Sequence, residues 1–142
     1  MDNRELGVVA LEDRLKPIFT LKSLKLFERN VDFQVTETHM PCLLIQEGED
    51  NIIARSKRKG SGYPLTRQLD VIVEVWHFSK DAVRDLRKEV ILHTFEGGSI
   101  LLQSPRVMIE EHKDIGPFNQ GIPGVLGRQV IFKMTYFDET IT

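Results

Sequence analysis

Ten residues in the middle of the chain limit its folds more than any other stretch. Leu69-Asp-Val-Ile-Val-Glu-Val-Trp-His-Phe78 alternates with a period of two. Leu69, Val71, Val73 and Val75 fall on one face; Asp70, Ile72, Glu74 and Trp76 fall on the other. A wholly apolar strand face must be buried against a second layer. The mixed face is what a half-covered or partner-covered sheet surface looks like. A sheet with a core on one side is therefore the frame into which the other elements must fit.

The closing segment from Leu126 to Asp138 alternates in the same way. Val130, Phe132, Met134 and Tyr136 face one side; Gln129, Ile131, Lys133, Thr135 and Phe137 face the other. Shorter strands are expected over Leu24 to Val31 and, after Pro41, over Cys42 to Glu47. Proline is tolerated where a strand begins. Ser99 to Glu110 reads as one further strand with a break at Pro105. Two helices complete the set. Arg4 to Ile18 carries an apolar stripe ending or kinking at Pro17. Lys80 to Phe95 is capped by Ser79, with Val83, Leu86, Val90 and Ile91 as its apolar face and Gly97-Gly98 as its stop. Val35 to Met40 reads as a polar passage. Glu47 to Gln68 and Glu111 to Gly124 read as loops, the latter from Gly116, Pro117, Gly121 and Pro123.

Few helices among strands joined by hairpin-like loops indicate an α+β fold. The expectation is an antiparallel or mixed sheet of about four to five strands, with two main helices packed on one face. The 142 residues fit a single domain spanning 1–142. The formal net charge of −2 argues against a general polyanion binder, so any nucleic-acid contact must come from a local patch. The one cysteine, Cys42, excludes an internal disulfide and fits a reducing compartment. No secretory signal or membrane span is read, so the protein is expected to be cytosolic where it is made.

The sequence presents no working catalytic set. His39, His77, His93 and His112 are scattered, and the His39/Cys42 pair has no second pair to complete a four-ligand metal site. Cys42 sits in an apolar run, where a thiol is inert. Gly60-Ser61-Gly62 lacks the lysine of a phosphate loop and precedes a strand. Acidic groups such as Glu47, Glu49 and Asp50 sit in expected loops, where carboxylates are usually just solvated. No enzyme activity and no cofactor are expected.

Two features stand out. Arg55, Lys57, Arg58 and Lys59 place four cations in five residues on a Gly-rich tip. Such a run is usually a solvated loop. The sharper reading is contact with phosphate or with an acidic protein surface. The second feature is the set Ile72, Trp76, Ile131 and Phe137 on the second sheet face. They are core beneath a covering element, or a subunit interface, where aromatic residues are enriched.

Met40-Pro-Cys-Leu-Leu-Ile-Gln-Glu-Gly-Glu-Asp50, a polar loop, Leu69 to Trp76, the helix opening Ser79-Lys-Asp-Ala82 and the late Met134-Thr-Tyr-Phe137 together resemble the tail-terminator, or tail-completion, proteins of long-tailed bacteriophages. The resemblance runs from the first helix to the last strand; Glu111 to Gly124 has no counterpart in it. It implies a structural protein of the virion that forms a homo-oligomeric ring, typically a hexamer, at the head-proximal end of the tail tube. Such a ring ends tube polymerisation and offers the docking surface for the head-tail connector. Its partners are the tail tube protein and that connector, with DNA passing through the lumen. Arg55, Lys57, Arg58 and Lys59 then become candidates for contact with a partner or the lumen. Alternatives are a head-completion, connector or baseplate protein, and a small nucleic-acid-binding module using the basic loop.

Overall fold

The computed structural model describes residues 2–55, 65–103, 107–118 and 126–138. The chain begins with α1 (Asn3–Leu15), whose first turn is capped by the Asp2 carboxylate accepting from the Glu5 backbone N–H at 2.8 Å. The single helix expected over Arg4 to Ile18 is divided at Lys16. Pro17 cannot continue the helical hydrogen bonding and instead opens α2 (Pro17–Leu21) at its first turn. Val8, Leu11 and Leu15 of α1 and Ile18 of α2 are fully buried, so the apolar stripe survives the kink.

Among the described residues six strands follow: β1 (Leu26–Arg29), β2 (Cys42–Arg55), β3 (Leu65–His77), β4 (Leu101–Gln103), β5 (Val107–Phe118) and β6 (Leu126–Asp138). They form one mixed sheet in the order β1-β2-β3-β6-β5-β4. Among the described strands, only β1 runs parallel to its neighbour. The stretch expected as one strand over Ser99 to Glu110 is described as parts of two strands, β4 and β5, which gives a sixth strand; Pro105 itself lies outside the described residues.

Helix α3 (Lys80–Thr94) starts at Ser79, whose hydroxyl accepts from the Ala82 N–H at 3.2 Å. It packs with α1 on one face of the sheet. Between sheet and helices lies the main core: Leu69, Val71, Val73 and Val75 of β3, Val130, Phe132 and Met134 of β6, and Val83, Leu86 and Val90 of α3. The α+β fold with its helices on one face is thus the expected one. Gly7 lets α1 lie close against the sheet. A Cβ there would lie 2.7 Å from both Met134 Sδ and Val107 Cγ1.

Three expectations are corrected. Val35 to Met40 is not merely a polar passage. Val35 and Met40 are buried with Cys42, Leu44 and Trp76 in a second cluster, which covers one end of the opposite sheet face. Glu47 to Gln68 is mostly strand: β2 continues to Arg55 and β3 begins at Leu65. Glu111 to Phe118 also belongs to a strand, β5. Both long strands carry register breaks, between Glu47 and Asp50 and between Ile52 and Ala54 in β2, and between Glu111 and Lys113 and between Ile115 and Phe118 in β5. Each break shifts the alternation by a residue, which disguises a strand as a loop.

Candidate assembly surface

The face of the sheet away from the helices is built from the second set of alternating residues. Ile72 stands directly opposite Ile131, Asp70 opposite Lys133, and Glu74 opposite Gln129. Ile72 and Ile131 are half-buried. They form a short apolar bar between an ion pair, Asp70 with Lys133, and a polar pair in which Gln129 donates to Glu74 at 2.8 Å. Phe137, also half-buried, faces Thr66 near the far end of the same face.

Trp76 lies at the covered end of that face and has no exposed surface. Phe118 meets its ring edge-on at 5.2 Å, and its indole N–H donates to the Glu74 carboxylate at 2.5 Å. Of the four residues singled out on this face, the fold brings Ile72 and Ile131 into contact register, sets Trp76 beneath the Val35–Met40 cover, and keeps Phe137 apart. Cys42 shares the Trp76 cluster, where burial and the nearby Glu74 push its thiol up to about 12. A thiol so held stays protonated and unreactive.

A charged hub, which sequence reasoning missed, ties the outer half of β2 to the rest of the molecule. Arg29 grips Glu5 with two hydrogen bonds of 2.7 and 2.8 Å and reaches Glu47 at 3.2 Å. Arg4 donates to Glu47 at 3.1 Å and to Asp50 at 2.8 Å, and Tyr136 donates to Asp50 at 2.5 Å. Asn30 sits in the left-handed region (φ 52°) where β1 ends. Its amide thereby both donates to the Glu47 carboxylate and accepts from the Glu47 N–H, at 2.7 and 3.1 Å. Burial pushes the Glu47 carboxyl up, but the hydrogen bonds from Asn30, Arg29 and Arg4 outweigh it and hold the group below the usual range. Glu5 is held low chiefly by Arg29. Burial and the hydrogen bond to Asp50 push the Tyr136 hydroxyl well above its ordinary value. The Glu47 and Asp50 carboxylates, expected in a solvated loop, are structural anchors. The signal that could have exposed them is Gly48 between acids in an otherwise apolar-leading strand, the mark of a bulge.

A second ionic contact fixes the other end of the sheet to α3. Arg87 donates to Asp114 at 2.7 Å and Arg128 donates to the same carboxylate at 2.8 Å. Burial raises the Asp114 carboxyl, but the two guanidinium groups together bring it below the normal range.

Arg55 is the last residue of β2, opposite Leu65. Lys57, Arg58 and Lys59 lie outside the described residues. The outer half of β2 that leads to them exposes Ile52 and Ile53, 40% and 51% accessible.

No protein-family model and no curated protein matches this chain. Among solved structures, a chain from the virion of a native gene transfer agent particle matches it. The match covers 91% of this chain and 92% of that one, with a TM-score of 0.55 and 10% sequence identity. At that identity the likeness is one of fold, and it extends over nearly the whole of both chains.

Proposed function

We propose that this chain is a structural subunit of a phage-like virion. It forms a closed ring at the head-proximal end of the tail tube, ends tube growth and presents the surface on which the head connector docks. The observation that carries the reading is the fold shared end to end with a component of a virion. The tail-terminator pattern in Met40 to Asp50, Leu69 to Trp76 and Ser79 to Ala82 adds the position at the tube end and the hexameric ring. The proposal assigns no reaction and no cofactor to the chain. Its partners are further copies of itself, the tail tube protein and the head-tail connector, with DNA in the lumen. It places the protein in the virion, after assembly in the host cytoplasm.

The partly apolar bar of Ile72 and Ile131, with Phe137 beyond it, suits contact within such an assembly. Trp76 serves as core at the covered end of the same face, beneath Val35 and Met40. Arg55, Lys57, Arg58 and Lys59 supply positive charge toward an acidic tube or connector surface, or toward the lumen.

Light scattering over a concentration series, paired with negative-stain images and mixing with tail tubes, tests the reading. Rings with a central hole that cap one end of tubes are the expected result. Rings that bind connectors or baseplates but leave tube growth unchecked would move the subunit elsewhere in the neck or tail. A strict monomer that ignores tube ends and binds DNA with strong salt dependence would replace the proposal by a nucleic-acid-binding module.

A further inference from the structure

The two edges of the sheet are cut in steps. On one edge, β1 covers only Cys42–Ile45 of β2, and Asn30 extends the cover to Glu47. From Gly48 to Arg55, no described strand pairs with the outer side of β2. On the other edge, β4 covers only Val107 and Met108 of β5, and the Ile100 carbonyl adds Ile109. From Glu110 to Phe118, no described strand pairs with the outer side of β5.

The steps lie at opposite ends of the sheet. One register row runs Glu28, Leu44, Glu74, Gln129, Ile115, from the covering strand β1 to the bare part of β5. Another runs Asn51, Gln68, Thr135, Met108, Leu101, from the bare part of β2 to the covering strand β4. Each short edge strand is therefore level with the gap on the far edge.

We infer that the occupant of these edges is a second copy of this chain, set beside the first at the same level so that the two sheets join. The inference rests on the ring reading above. In that arrangement β1 of the second copy fills the bare stretch of β5, and β4 of the first fills the bare stretch of β2 in the second. Strand directions agree. Because β2 and β5 are antiparallel through three antiparallel pairings, β1 meets β5 antiparallel and β4 meets β2 parallel. One contact then satisfies both edges, and its repetition around an axis is the heterologous contact that closes a ring.

The bulges make this pairing selective. On bare β2 the run in register is Asp50 to Ile52, three residues, which is the length of β4. On bare β5 the second run in register is Lys113 to Ile115. A long foreign strand would meet a bulge within a few residues, whereas a short one fits between bulges. Apolar surface is placed to match. Ile52 and Ile53 on bare β2 would come to the same end of the joint as Ile100 and Met108 of the neighbour, which are 51% and 43% accessible.

Level strands in one sheet bring facing Cα atoms to about 4.5–5.5 Å, within disulfide reach. The test is a Glu28→Cys/Ile115→Cys double variant, oxidised or treated with a short bismaleimide, with each single variant as control. Cys42 is fully buried and stays out of the reaction. The expected result is a ladder of covalent multimers in the double variant alone. An Ile53→Asp variant, checked by circular dichroism for an unchanged fold, should raise the concentration needed for half assembly about thirtyfold, as for loss of an interface hot spot. Rings that assemble normally but give no ladder, or are indifferent to Ile53→Asp, would overturn the edge joint and leave the ring reading standing. Failure of the unmodified chain to assemble either free or on tube ends would overturn the ring reading and this inference with it.

Discussion

The indole of Trp76 lies so close over Gly127 that a Cβ at position 127 would stand 2.8 Å from ring atoms Cε2 and Cζ2. The two residues are direct partners across β3 and β6. Glycine here is dictated by the neighbouring ring, since its own backbone is ordinary strand. The tryptophan is thereby sunk to zero exposure on the sheet face opposite the helices. That explains how the second face can carry a full core cluster at one end and a half-open surface at the other.

Replacing Gly127 by Ala should therefore destabilise the fold by overpacking, by about 1–3 kcal/mol. Trp76→Ala should cost about 3–5 kcal/mol through the cavity it leaves. Urea midpoints at constant m-value measure both. If Trp76 stood at a subunit contact instead, Trp76→Ala would lower assembly and leave the monomer midpoint unchanged.

The hub around Glu47 makes the fold sensitive to acid. Glu5 and Glu47 both have carboxyl groups held below their ordinary value of 4.5 in the folded chain. A depressed pKa means that the folded state favours the ionised form. Its contribution is full above the unfolded value and is lost as pH falls through the folded value. Melting temperature should thus be level from neutral pH down to about pH 4.5 on this account and fall below it. Glu47→Gln should flatten that fall and, by leaving charged donors short of an acceptor, lower stability at pH 7 by about 1–3 kcal/mol. An acid limb of equal steepness in the variant would show that other groups govern it.

Gly7 offers a test in which two effects oppose each other. Alanine in a helix interior is worth about 1 kcal/mol over glycine. The new methyl, however, would press on Met134 Sδ and on Val107 Cγ1, and the β-branched valine has little freedom to yield. Overpacking strain of about 1–3 kcal/mol outweighs the gain in helix propensity, so Gly7→Ala should lower the unfolding midpoint. Gly7→Ala combined with Val107→Ala should recover part of the loss relative to Val107→Ala alone, which a double-mutant cycle would read.

Much of this architecture is legible in the sequence wherever one rule acts alone. Strand β6 is found with its bounds because the apolar alternation from Val130 to Tyr136 is regular and no bulge falls among its thirteen residues opposite β3. The apolar face of β3 and the cap and core face of α3 are equally plain. The outer halves of β2 and β5 are not, because bulges reset the alternation and both flanks of an edge strand meet solvent. The hub is hidden for a different reason. Arg4, Arg29, Glu47 and Asp50 are brought together by tertiary packing, and apart from the bulge signal at Gly48 nothing local distinguishes them from solvated charges. The cover formed by Val35 and Met40 falls between these cases: two isolated apolar residues give no period to read.

The run Arg55, Lys57, Arg58, Lys59 carries the last prediction. Four cations close in sequence attract an acidic surface over roughly a Debye length, about 8–10 Å at moderate salt, and the attraction weakens as salt rises. Self-assembly through sheet edges and capture of a partner by charge are then separable. Replacing all four by Ser should leave ring mass in light scattering unchanged, while reducing capture of tube ends or connectors in a co-sedimentation assay. In the unmodified chain that capture should decline with added salt; in the variant the salt dependence should largely vanish. If the variant caps tubes and docks connectors as well as the parent, the cations are a solvated tip and the contact with partners lies elsewhere, with the half-buried Ile72 and Ile131 bar the next surface to change.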